Sequence, residues 1–362
     1  MNAVVNSWSL AERFSWLRRL GRPRYAFRQI MKAYRLVILA NSVVHLHGRD
    51  RLNYSKEELI VICVVRNGSK YVKSFIDYYF ALGVKNIVFL DNGSTDDTVA
   101  RAAGYDNVTV LKTELPYSRY ENIMKEYLAR RFSNGRWNLC VDIDEFFDWP
   151  FSRRLKLKFL LRYLNNRGFT AVVAQMLDLF SELPLSQLSD EQNELRKNYR
   201  YYDVSNISKT PYGYSRNENT DISMHWGGIR HSIFGTRNGL TKAPLVFVGS
   251  RIKLFRNWHH VENARLADFT CALLHYPFIS TFYDKVRDAA ATKRYGVVTS
   301  DEYDMYWAVI SSNPNITLRQ QTSREYAGTE QLLDEGFLVA SPKFRDWVSQ
   351  YGESRNSEAG SV

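Results

Sequence analysis

Three short polar clusters interrupt the apolar stretches of this 362-residue chain: Arg66-Asn67-Gly68-Ser69, Asp91-Asn92-Gly93-Ser94-Thr95-Asp96-Asp97 and Asp142-Ile143-Asp144-Glu145. The third has the most definite chemistry. Side chains alternate along a strand, so Asp142 and Asp144 would project together with Glu145 beside them. Two carboxylates that close either share a proton or hold a cation. Their hard oxygens suit Mg2+ or Mn2+. A solvated acidic strand end would carry the same residues. The apolar run before the pair, the aromatics after it (Phe146, Phe147, Trp149) and the two other clusters favour a metal.

Absent motifs narrow the chemistry. The first cluster lacks the Gly-x-Gly-x-x-Gly that lets backbone cradle a pyrophosphate, and no Gly-Lys-Ser/Thr P-loop occurs. A bound diphosphate would then need a metal to neutralise it. Dinucleotide dehydrogenases and P-loop NTPases are disfavoured.

The clusters need elements to position them. Leu59 to Val65 is a continuous apolar run, as in a strand buried on both faces. Tyr71 to Leu82 has helical spacing and stops at Gly83. Asn86 to Leu90, Val108 to Leu111 and Trp137 to Asp142 read as further strands. Thr98 to Ala103 and Arg119 to Phe132 read as helices between them. This alternation predicts an α/β fold with a doubly wound, mostly parallel sheet and helices on both faces. Ligands bind such sheets at the carboxyl ends of the strands, where all three clusters fall. Beyond Pro150 a helix is expected over Arg153 to Asn166 and a strand over Thr170 to Gln175. Loops are expected over 186–220, and apolar runs stand at Leu245 to Val248 and Ala272 to Phe278. The chain divides into a basic helical extension (1–55), a first half of the α/β body (56–150), a second half (151–300) and a helical C-terminal segment with a disordered tail (301–362).

Charge sits mainly at the front. Residues 1–55 hold ten Lys/Arg against two acids, and the other 307 residues hold 39 against 36. The body is nearly balanced, which removes most support for nucleic-acid binding. Ser9 to Glu12 reads as a capping box, and a helix is expected over Tyr25 to Asn41 with Phe27, Ile30, Met31, Tyr34 and Ile38 on its apolar face. Two readings stand: a cap packed on the body, or a basic amphipathic helix on anionic lipid at the inner membrane face. Cys63, Cys140 and Cys271 are far apart in apolar runs, and no secretory signal is recognised. These features predict reduced core cysteines in a cytoplasmic protein.

The segment Val64 to Asp148 resembles the nucleotide-binding half of family 2-type glycosyltransferases with the GT-A fold. It is most similar to a bacterial subgroup with an Arg-Asn start, a DNGSTD loop and a DIDEF metal motif, here VVRNGSKYV, FLDNGSTDDT and VDIDEFF. The likeness continues more weakly through Gly227 to Arg230, Phe234-Gly235, Lys242 to Leu245 and Leu274 to Tyr276, and covers roughly 58–295. Gly68 stands where the subgroup more often shows Glu. The resemblance implies that Asp91 contacts the base or ribose of a nucleotide-diphosphate sugar and that Arg66 and Asn67 line the same pocket. It implies that Asp142 approaches ribose or metal, and that Asp144 ligates an ion bound to the diphosphate. It also implies a later His ligand, for which His275 is the candidate among His225, His231, His259, His260 and His275. The acceptor, a glycan or lipid-linked hydroxyl, would be deprotonated by an acid from the second half; Asp221 and Glu262 are the candidates for this inverting chemistry. Trp226 and Trp258 are candidate sugar platforms. Nucleotidyl transfer, phosphoester hydrolysis and non-catalytic nucleotide-sugar binding remain as other readings.

Overall fold

All seven residues of Leu59–Val65 are buried, so this strand needs cover on both faces. Leu59, Val61, Cys63 and Val65 enter one core with Val72, Phe75, Ile76 and Tyr79 of helix Ser69–Ala81. Ile60, Ile62 and Val64 enter a second core with Met124 and Leu128 of helix Tyr117–Ser133. Alternation along one strand therefore builds two layers at once. The computed structural model that shows this describes residues 23–189, 194–216, 219–249, 252–256, 260–293, 295 and 297–352. The capping box at Ser9, His259, Trp258 and the tail beyond Gly352 lie outside the described residues.

The strands in chain order are β1 (Val44–His47), β2 (Leu59–Val65), β3 (Asn86–Asp91), β4 (Val108–Lys112), β5 (Trp137–Cys140), β6 (Glu145–Asp148) and β7 (Ala171–Asp178). There follow β8 (Tyr201–Tyr202), β9 (Ile207–Pro211), β10 (Ser223–Gly227), β11 (Thr241–Phe247), β12 (Lys253–Arg256), β13 (His260–Glu262), β14 (Leu266–His275) and β15 (Arg324–Glu325). Nine form one sheet in the order β1-β4-β3-β2-β5-β11-β7-β14-β6. β2, β3, β4 and β5 pair in parallel, as do β7 and β14. β11 runs antiparallel between β5 and β7, which leaves β7 and β14 pointing the same way as β2. Six of the nine strands thus share one direction, and the fold is α/β with a mostly parallel sheet. The two halves expected on either side of residue 150 share this sheet. The remaining strands pair as β9 with β10, β12 with β13 and β8 with β15.

The chain leaves β2 for β3 and β4 on one side and returns to β5 on the other. Open parallel sheets take ligands at such a reversal, in a crevice at the strands' carboxyl ends, here those of β2 and β5. The C-terminal segment closes the first core: Phe344 is fully buried and stacks on Phe269, ring centroids 4.0 Å apart. Cys63, Cys140 and Cys271 are free and buried. No described helix is long and apolar enough to cross a membrane.

Phe344→Ala removes a fully buried ring and should lower unfolding free energy by ~3–5 kcal/mol. Urea denaturation reads this directly; an unchanged midpoint would show that helix Pro342–Tyr351 is not part of the core.

Candidate active site

The loops after β2 and β3 are laced together. Asp91 lies opposite Val65 in register and is 1% exposed. Its carboxylate accepts from the backbone N–H of Gly93 and of Ser94, both at 3.1 Å. Asp91 thus organises its own loop, a role that the strand-end pattern does not reveal. Asn67 adopts φ 53° and accepts from the Thr95 N–H at 2.8 Å, while its own N–H donates to Ser94 Oγ at 2.9 Å. Arg66 is exposed at the rim. The Ser69 N–H donates to the Asp96 carboxylate at 3.1 Å, so a protein group already closes the start of helix Ser69–Ala81. A Cβ on Gly68 would stand 2.8 Å from Val65 Cγ2 and 3.1 Å from Ile143 Cγ1. A side chain there would push on the residue between Asp142 and Asp144, which gives glycine a reason at this position.

The Asp-x-Asp pair departs from expectation. The strand ends at Cys140 rather than Asp142, and residues 143 and 144 form a turn with the Glu145 N–H donating to the Asp142 carbonyl at 3.0 Å. The two carboxylates take separate partners instead of projecting side by side. Asp142 receives Lys125 Nζ at 3.1 Å and Lys242 Nζ at 3.0 Å. Lys242 also pairs with Glu145, which is 1% exposed. Burial pushes Asp142 up, but Lys125 and then Lys242 outweigh it and hold it well below the usual carboxylate range. Burial dominates at Glu145 and raises it despite Lys242.

Asp144 takes a different set of partners. Its carboxylate stands 3.6 Å from His275 Nε2 and 3.7 Å from Lys285 Nζ. His275 Nδ1 lies 2.6 Å from Asp178 Oδ1, and the second Asp178 oxygen accepts from Arg230 Nε at 2.8 Å. Arg230 also approaches Glu302 at 3.4 Å. Burial opposes charge on His275, yet Asp144 and then Asp178 raise it to about 9. Asp178 is itself buried; Arg230 and His275 overcome that burial and lower it.

Among the described residues no three His, Cys, Asp or Glu side chains gather into a metal cage. The expected set of Asp142, Asp144 and His275 is not among such groups, and Asp142 is paired with Lys125 and Lys242 instead. What remains is the pair Asp144 and His275. With Asp178 holding Nδ1, the His275 Nε2 is turned to the Asp144 side, the arrangement that orients a metal-bound imidazole. Two protein donors fit a hard ion that takes its other oxygens from water and substrate phosphate.

Asp221 and Glu262 are not brought to this cluster. Asp221 is exposed beside Asn219, whose amide donates to the Asp268 carbonyl at 3.0 Å. Asp268 precedes His275 by seven residues of β14, roughly 20 Å at ~3.3 Å per residue. Glu262 enters the same distant end of β14 and pairs with Lys253 at 3.2 Å. His225 is buried against Phe337, and burial lowers it to about 3. His260 stacks on Tyr214 at 3.9 Å, and burial lowers it to about 4. Trp226 donates to Thr210 Oγ1 at 3.1 Å and its ring lies against Gly239.

Sequence reading missed Lys125, Lys242, Lys285, Asp178 and Arg230. One signal was present: Asp178 ends an apolar strand, as Asp91 does, but the expected strand stopped at Gln175. Arg230 and Lys242 lay in the weaker resembling segments without a role.

No family model matches the chain, and no curated protein matches it. Among solved structures it is similar to glucosyl-3-phosphoglycerate synthase from Mycobacterium tuberculosis, described in complex with Mn2+, UDP and glucosyl-3-phosphoglycerate: 18% identity, TM-score 0.21, covering 37% of this chain and 52% of that one. For S. aureus TarS the values are 14%, 0.29, 72% and 44%. For a nucleotidyl transferase from Methanothermobacter thermautotroptrophicus they are 12%, 0.20, 35% and 63%. The chain spans about half the length of the synthase it matches. Likenesses this loose carry no argument about activity.

Two outcomes follow from the charge pattern. Lys242→Met leaves Glu145 buried without its cation and should cost ~3–5 kcal/mol of stability, read by urea denaturation. His275 has a folded value above its unfolded value of ~6.5, so its contribution to stability is full below that and disappears as pH rises through about 9. Proton NMR of the chelator-treated protein should place its midpoint near 9, and Asp178→Asn should lower that midpoint. A midpoint near ~6.5 in the parent would contradict the pairing.

Proposed function

We propose that this protein is a metal-dependent glycosyltransferase that moves a sugar from a nucleotide-diphosphate donor to an acceptor hydroxyl in glycan or polysaccharide synthesis. One observation carries the reading. At the crevice edge of a mostly parallel sheet, Asp144 faces His275 Nε2 while Asp178 holds the other ring nitrogen.

The residues divide the work. Asp144 and His275 would hold Mn2+ or Mg2+, which supplies positive charge to a leaving diphosphate. Asp178 and Arg230 fix the imidazole. Lys285, beside Asp144, offers a second cation for phosphate oxygens. Lys125 and Lys242 keep Asp142 charged. Asp91 and Asn67 stiffen the loops that would border the nucleotide, and Arg66 stands at the rim to meet it. A cleft of about 340 Å3 opens at Leu179 and Tyr276, the residues after Asp178 and His275. Arg153, Arg196 and Arg200 also line it.

Nucleotidyl transfer is the second reading, favoured by the two buried lysines at Asp142. Products separate the two. With Mn2+ and a panel of sugar nucleotides, release of UDP or GDP supports glycosyl transfer, and release of pyrophosphate from nucleoside triphosphates supports the alternative. Asp144→Ala should abolish Mn2+-dependent nucleotide binding with the fold intact. Equal affinities for mutant and parent by calorimetry would remove the metal assignment.

A further inference from the structure

Eight large hydrophobic side chains stand out as exposed among the described residues, and six of them fall between positions 27 and 46: Phe27, Ile30, Tyr34, Val37, Val44 and Leu46. The first four recur at spacings of three, four and three on helix Pro23–Ser42, each 58–65% exposed. They form one stripe about 15 Å long at 1.5 Å per residue. The opposite side of the helix is docked. Leu39 is fully buried in the second core, Leu36 packs against it, and Lys32 pairs with Glu126. At about 100° per residue, Leu36 and Leu39 lie across the helix axis from the stripe. Packing on the body therefore explains one face of this helix and leaves an apolar face uncovered. Val44 and Leu46 extend the apolar surface onto β1, which is an edge strand.

The surroundings of the stripe select its partner. Arg28 and Arg35 are exposed on the flank between stripe and docked face, and Arg49 and Arg51 are exposed beyond β1. Asp50 is the sole acid between residues 23 and 55, and Arg131 neutralises it. An apolar row bordered by unopposed arginines matches a surface that is greasy inside and anionic outside. A narrow stripe, on a helix that like the other described helices is not long and apolar enough to cross a membrane, suits a helix lying in the interface plane. We propose that helix Pro23–Ser42, with the β1 edge, seats the protein peripherally on an anionic lipid bilayer. Phe27, Ile30, Tyr34 and Val37 enter below the headgroups, and the arginines meet lipid phosphates. This holds whichever reaction the cleft performs.

Co-sedimentation of the full chain with phosphatidylcholine vesicles, with and without phosphatidylglycerol, tests it. The parent should bind the anionic vesicles more tightly, and added salt should weaken binding. Joint substitution Phe27→Ser, Ile30→Ser, Tyr34→Ser and Val37→Ser should lower the partition coefficient at least about tenfold. Arg28→Gln with Arg35→Gln should remove most of the preference for anionic lipid. Both variants should keep the parent melting midpoint, since every substituted side chain is exposed. The seat is overturned if the parent fails to bind anionic vesicles, or if neither variant changes binding. It is equally overturned if the parent elutes as a dimer that the four serines dissolve, since a second copy would then cover the stripe.

Discussion

Four acids converge where the sheet ends: Asp144, Glu145 and Asp178 are buried, and Asp142 is half-buried. Carboxylates in such a place survive as ions only if cations are placed among them. The protein supplies Lys125, Lys242, His275, Lys285 and Arg230, from two helices, two strands and the short helix Ile229–Phe234. The rest of the cleft follows from that pairing. It sends Asp142 and Asp144 to opposite partners, and it sets the imidazole of His275 so that one nitrogen remains on the Asp144 side.

The sheet makes this possible. β11 delivers Lys242 because it is inserted antiparallel between β5 and β7. β7 and β14 deliver Asp178 and His275 at the same level because those residues are register partners. β14 and β6 pair His275 with Glu145, which brings the second half of the chain against the Asp-x-Asp turn. The two halves expected on either side of residue 150 are therefore a division of sequence order, while the sheet itself is shared.

Helix Pro23–Ser42 is a cap packed on the body, one of the two readings its sequence allowed, and that packing accounts for one of its faces. It packs on the body through Leu36 and Leu39, and it presents a second apolar row outward. Residues Phe27, Ile30 and Tyr34 recur at helical spacing in the sequence. Periodicity shows that a face is apolar, but not whether the body covers it.

Short-range pattern by itself determined the strands and helices from Leu59 to Cys140. Buried runs, glycine stops and helical spacing act over a few residues, and the observed bounds follow them closely. It also determined that the polar clusters sit at strand ends, because alternation of strand and helix puts them there. The partners of the carboxylates were decided only by tertiary structure. Lys242 lies 100 residues from Asp142, and Asp178 lies 97 from His275. Asp178 ends an apolar strand, but nothing local names its partner, and nothing local distinguishes Lys242 from an ordinary surface charge. The same holds for the turn at Asp142 to Asp144. A run of alternating letters predicts an extended strand, whereas the chain turns at 143 and 144, and its two carboxylates meet lysines and an imidazole that come from distant strands and helices.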